Sequence, residues 1–155
     1  MNKGKYFWGI GFAVLLLALF VIPRLTNPNN AIVAAWSEAG IECLINGHTR
    51  LSQHFHPVLK ITVDGLDEAI PANVGLLQSC MAEVHTHDTS GILHVESASG
   101  DKKFYLKDFL TVYGKSFRRP GYNVGLRVDG KLNVDELENL ELKDKQQIEI
   151  FYISE

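Results

Sequence analysis

A chain of 155 residues, 46% hydrophobic and 21% charged, has room for one compact domain and is too rich in apolar side chains to be disordered or collagen-like. Its net charge of −3 hides an uneven start: residues 1–30 hold Lys3, Lys5 and Arg24 and no acidic side chain, which leaves residues 31–155 at about −6. With no basic stripe to offset it, that charge argues against a nucleic-acid partner and suits solubility or the attraction of cations.

Tyr6 to Ile22 is an uncharged, almost wholly apolar run. As a helix it is about 25 Å long, near the lower limit for crossing a bilayer core. Tyr6 and Trp8 stand at one end, where aromatic rings favour the membrane interface, and Lys3, Lys5 and the α-amino group outweigh Arg24. The run is therefore expected to be a single-pass anchor in the cytoplasmic (inner) membrane, with the C-terminal domain in the periplasm or outside the cell. A cleaved signal peptide is the competing reading, but Pro23-Arg24 follows the run instead of a small-x-small site, and Val33-Ala34-Ala35 lies too far downstream. The expected organisation is an anchor at 1–24, a linker with a short helix at 25–40, and an exported β-rich domain at 41–155. Asn30 is expected to cap a helix from about Ala31 to Ala39, closed by Gly40, with Ile32, Val33 and Trp36 on a docking face.

The remainder reads mainly as strands. Val58–Val63 alternates and runs into Asp64-Gly65, with Glu68–Ile70 as the return strand. Met81–His87 and Gly91–Ser97 are expected to flank a hairpin loop at Asp88-Thr89-Ser90-Gly91. Lys103–Leu106 reads as a short strand, and Leu106, Phe109, Leu110 and Tyr113 form a helical stripe ending at Gly114. Asn123–Val128 runs into a second turn at Asp129-Gly130, and Gln147–Ile153 closes the chain. The repeated phrases Ile61-Thr-Val-Asp-Gly65 and Leu126-Arg-Val-Asp-Gly130 hint at duplicated hairpins. The expected fold is an α+β, β-rich domain with one or two short helices, its closing part resembling half of a β-grasp unit.

Five of the six histidines fall between positions 54 and 94, in two His-x-His pairs, His54/His56 and His85/His87, with His94-Val-Glu96 beyond. In a strand, residues i and i+2 share a face, so each pair offers two imidazoles to one point. A loop at 88–91 sets His85 opposite His94 and places His85, His87, His94 and Glu96 on one face. Three imidazoles and a carboxylate suit one transition-metal ion, copper or zinc first. His54 and His56 complete or extend that site if Val58–Val63 lies alongside. A slip of one residue would send His94 to the other face, and a polar or structural histidine cluster is the alternative. His48 has no partner in this pattern and reads as surface.

Catalytic signatures fit poorly. His85-Thr-His87-Asp88 lacks the spacing of a metallo-β-lactamase motif, no Glu follows His87 as cupins require, and there is no nucleophile elbow, phosphate loop or dinucleotide fingerprint. Two methionines are too few for a methionine-rich copper(I) carrier. A metalloenzyme would need an open coordination position beside a base, for which Glu83 and Glu96 are the candidates. Cys43 and Cys80, the only cysteines, most simply form one disulfide in an exported domain; Cys80 as a thiolate ligand is the alternative. The acidic groups at 64–68 and 135–141 and the basic group Lys115, Arg118 and Arg119 read as solvated surface.

The string Cys43 … His54-Phe-His56-Pro … Val63-Asp-Gly65 … Ile70-Pro-Ala-Asn-Val-Gly75 … Cys80 … His85-Thr-His-Asp-Thr-Ser-Gly-Ile-Leu-His94-Val-Glu-Ser97 resembles a prokaryotic family of small proteins with no established activity, mostly carrying an N-terminal membrane anchor. Its members share a His-Thr-His-Asp-x-x-Gly-Ile-x-His-x-Glu-Ser segment, and the resemblance spans roughly 41–153. It implies that Cys43, Cys80, His54, His56, His85, His87, His94 and Glu96 belong to one constellation. The function expected is a membrane-anchored, extracytoplasmic transition-metal-binding protein. The alternative is a non-enzymatic module that binds an envelope protein, its histidines structural.

Overall fold

The computed structural model describes residues 28–155 apart from 46, 79, 135 and 136, and residues 35–155 form one compact unit. The expected membrane span, Tyr6–Ile22, lies outside the described residues; among those described, no helix is long and apolar enough to cross a membrane.

The first helix, α1 (Pro28–Glu38), starts three residues earlier than expected. Proline has no N–H to lose in a first turn, so Pro28 opens the helix instead of belonging to a linker. Gly40, at φ +78°, closes it. Trp36 is buried, whereas Ile32 is exposed.

Among the described residues, eleven strands make three sheets. The largest contains β3 (Val58–Val63), β4 (Leu66–Glu68), β9 (Tyr122–Val128), β10 (Lys131–Asn133) and β11 (Gln147–Ser154), in the order β10-β9-β11-β3-β4. The final strand β11 lies at its centre, parallel to β3 and antiparallel to β9. Both Asp-Gly turns have positive φ at each central residue (Asp64 +49°, Gly65 +81°; Asp129 +49°, Gly130 +78°), the conformation that two-residue hairpins favour. The return strand after the first turn is Leu66–Glu68, directly following it, and not Glu68–Ile70.

Leu59 and Ile61 on β3, Leu126 on β9, and Ile148, Ile150 and Tyr152 on β11 send side chains into one core. The helix α2 (Leu106–Tyr113) adds Leu106, Phe109 and Leu110 to that core, as its apolar stripe predicts. Lys103–Leu106 is not a strand: Tyr105 makes one bridge to Glu141 and then caps α2. Asp108 explains the change, because its carboxylate accepts the Tyr105 N–H at 2.7 Å and starts the helix there.

The second sheet, β2 (Gln53–Phe55), β8 (His94–Ser97) and β7 (Val84–His85), has the order β2-β8-β7. The third consists of β1 (Cys43–Leu44), β6 (Cys80–Ala82) and β5 (Leu76–Leu77). The expected strand Met81–His87 is thus broken at Glu83, where the chain passes from one sheet to the other. Glu83 is fully buried and accepts the Glu42 N–H at 2.8 Å and the Ser97 hydroxyl at 2.6 Å, and it pairs with Lys102. Those partners fix the bend and occupy the carboxylate, so Glu83 does not face the histidines as a base.

Candidate metal centre

The second sheet has one apolar and one polar face. Val84 pairs with Val95, which also pairs with Phe55; both valines are fully buried in the core. The residues one step along point the other way: His85 pairs with His94, and His54 pairs with Glu96. The expected register therefore holds, although the loop joining the paired residues is longer than four. Asp88 caps it by accepting the Ser90 N–H at 2.8 Å. His56, one step beyond the Phe55–Val95 pair, lies edge-on to His94 with ring centroids 4.6 Å apart.

Two devices hold this loop in place. Leu59 on β3 donates its N–H to the Gly91 carbonyl at 2.8 Å, and Leu93 donates to the Pro57 carbonyl at 2.9 Å. Gly91 sits at φ +82°, and a Cβ there would run into the Leu59 carbonyl oxygen. Thr86, between the two histidines of its pair, donates its hydroxyl to the Pro71 carbonyl at 2.9 Å and accepts the Val74 N–H at 3.1 Å. His85 and His87 are thereby carried on a fastened backbone.

His85 is fully buried, and its Nδ1 lies 2.9 Å from the Ala82 carbonyl. A carbonyl only accepts, so Nδ1 carries the proton and Nε2 presents a lone pair. That Nε2 stands 3.2 Å from Nε2 of His87. Burial pushes the pKa of His85 down to about 4, which keeps the ring neutral. Burial likewise lowers that of His94 to about 4, with the neighbouring His87 and His56 adding to the effect. Neutral imidazole is the form that ligates a metal.

Among the described residues, two groups bring their ligating atoms within 4.8 Å of one another: His85, His87 and His94, and His54, His56 and His94. All five histidines of the expected set are thus drawn together, around His94. Glu96 lies beneath them, fully buried. His48 Nδ1 donates to both of its carboxylate oxygens at 2.8 Å, and His54 Nε2 stands 3.0 Å from Oε1. His94 Nδ1 is 4.0 Å from the same oxygen, too far to bond, and is buried with no hydrogen-bond partner among the described residues. The reading of His48 as partnerless surface is corrected: its ring is half exposed, but it grips Glu96.

Cys43 and Cys80 form a disulfide, with Cα atoms 5.3 Å apart, so Cys80 is not a thiolate ligand. The bridge ties β1, just upstream of His48, to β6, whose last residue Ala82 fixes the His85 ring. Two surface assignments also change. Arg119 makes a two-pronged pair with Glu68 at 2.9 Å and lies 4.2 Å from the Tyr152 ring centre, and Asp64 accepts the Ser154 N–H at 2.8 Å. Both side chains fasten the fold and are not part of a free charged face.

No protein-family model, curated protein or solved structure matches the chain.

Proposed function

We infer that the protein binds a transition-metal ion, copper or zinc, through His85, His87 and His94. The observation that carries this is the pair of facing Nε2 atoms on His85 and His87. With Nδ1 of His85 committed to Ala82, its Nε2 lone pair points at a second ring nitrogen 3.2 Å away. Two nitrogens bound tetrahedrally to zinc at about 2.0–2.1 Å stand about 3.3 Å apart, so the spacing is that of two ligands sharing an ion. Glu96 supports the same reading. Among the described residues its side-chain partners are imidazoles, with no Lys or Arg, and a buried carboxylate favours a positive charge beside it, which a bound cation would supply.

In this reading His54 and His56 extend the site, and Glu96 is either a fourth ligand or the acceptor that orients the rings. The 1–24 segment anchors the protein in the cytoplasmic membrane and the domain from 41 onward lies outside it. Sheet order β10-β9-β11-β3-β4, with a central parallel pair and a helix between the two hairpins, favours a β-grasp-like frame. Two strands of the His sheet, β7 and β8, then lie between its first hairpin and its helix, and β2 joins them from upstream of β3. A second reading, an interaction module for an envelope protein, draws on the exposed Leu66 and Leu132, one on each outer strand of the large sheet.

The test is elemental analysis of the tag-free full-length chain, solubilised in detergent and dialysed against a weak chelator. Retained copper or zinc whose amount His85→Ala with His87→Ala lowers supports the metal reading. A folded protein that also rejects added copper and zinc overturns it and leaves the interaction module.

A further inference from the structure

The histidines are arranged symmetrically about the middle strand of their sheet. In the order β2-β8-β7, the central strand β8 contributes His94, and each outer strand leads into a His-x-His pair: His54/His56 on one side, His85/His87 on the other. Each arm forms a triad with His94, and among the described residues no triad mixes the two arms. The His56 and His87 rings stand edge-on to that of His94 at 4.6 Å and 4.5 Å, so His94 is flanked on both sides. One four-coordinate ion cannot use five imidazoles, and the two arms do not converge on a single point.

We propose that the cluster is a two-metal centre, one ion on each arm, with His94 between them giving one ring nitrogen to each. This rests on the single-ion reading above for the His85/His87 arm and adds a second ion on the His54/His56 arm. For both nitrogens to ligate, the His94 ring releases its one N–H proton to solvent and bridges as imidazolate. Its Nδ1 is suited to that role, being buried and bound to no protein group among the described residues. The bridging anion and the Glu96 carboxylate offset part of the charge of the two cations, and the acidic domain offsets more.

The experiment is a zinc titration of the chelator-stripped, tag-free full-length chain in detergent, reading bound equivalents by equilibrium dialysis. The unchanged protein takes up two zinc ions per chain. His54→Gln with His56→Gln lowers this to one, and His85→Ala with His87→Ala also leaves one. His87 is exposed, so His87→Ala alone serves if the double variant misfolds, and it weakens one of the two binding steps at least tenfold. One equivalent in the unchanged protein, kept without His54 and His56 but lost with His85 and His87, overturns the second ion and leaves the first. No bound zinc at all overturns both.

Discussion

His85 and His94 face each other across the β7–β8 pair with ring planes 19° apart and centroids separated by 5.4 Å. Both rings are held neutral by burial, with pKa values pushed down to about 4 from the ordinary 6.5. In the metal-free protein this makes stability fall with acid. Once unfolded, the two imidazoles take up protons near pH 6.5, while the folded ones bind none until about 4, so between those values protons favour the unfolded chain. The contribution is complete above 6.5 and is lost as pH falls towards 4. Urea unfolding in the presence of chelator, compared at about pH 7.5 and about pH 5, is expected to show a lower midpoint at the acid value. A midpoint that rises with acid would show these rings to be charged in the fold.

What the sequence revealed here, and what it concealed, follows the distance over which each feature is decided. The Asp64-Gly65 and Asp129-Gly130 turns are local, because two adjacent positive φ values need those residue types. The His85–His94 register was legible for a related reason: Asp88 and Gly91 mark the turn, and the apolar Val84–Val95 pair fixes which face is which. Nothing in residues 81–87 announces the break at Glu83, which is made by Glu42, Ser97 and Lys102, all remote in sequence. The parallel pairing of β3 with β11 is equally invisible, since alternation along a strand does not name its neighbour. His48 escaped for a third reason. It lies in an irregular segment with no periodicity, and reaches Glu96 from a stretch that follows β1, the strand the disulfide ties to β6.

Gly75 is a backbone support for the histidine cluster. Its carbonyl accepts the Ala82 N–H at 2.9 Å, its φ is +81°, and a Cβ there would sit 2.7 Å from Cγ1 of Val112 and 3.1 Å from Cβ of His85. Gly75→Ala therefore combines backbone strain with overpacking, at a cost of about 1–3 kcal/mol. Thermal unfolding should show a Tm lowered by several degrees, and zinc binding should weaken as His85 is displaced. An unchanged Tm would mean that α2 moves aside without penalty.

The Cys43–Cys80 bridge closes a loop with a sequence separation of 37. In the chain-entropy account that constraint contributes about 3–4 kcal/mol by limiting the unfolded chain. Denaturant unfolding of a Cys43→Ser, Cys80→Ser variant is expected to show a loss of that order. The His85/His87 arm is fastened separately by Thr86 and Gly91, so zinc uptake by that arm should survive. Loss of all zinc binding in a variant that remains folded would show that the bridge, and not the loop anchors, sets the ligand geometry.

Glu96 separates two designs for the centre. Its carboxylate accepts from His48 Nδ1, and His54 Nε2 faces it at 3.0 Å. Because a carboxylate only accepts, the His48 nitrogen carries a proton. Glu96→Gln keeps the size and one acceptor oxygen but removes the charge and replaces the other oxygen with a donor. If Glu96 acts by orienting these rings, affinity for zinc falls about 10–100-fold while the number of ions bound stays the same. Competition against a chromophoric chelator of known affinity measures the first quantity, and dialysis the second. A larger loss accompanied by a missing equivalent would instead make the carboxylate a ligand, since the neutral amide oxygen is a far weaker donor to a transition metal than the anion it replaces.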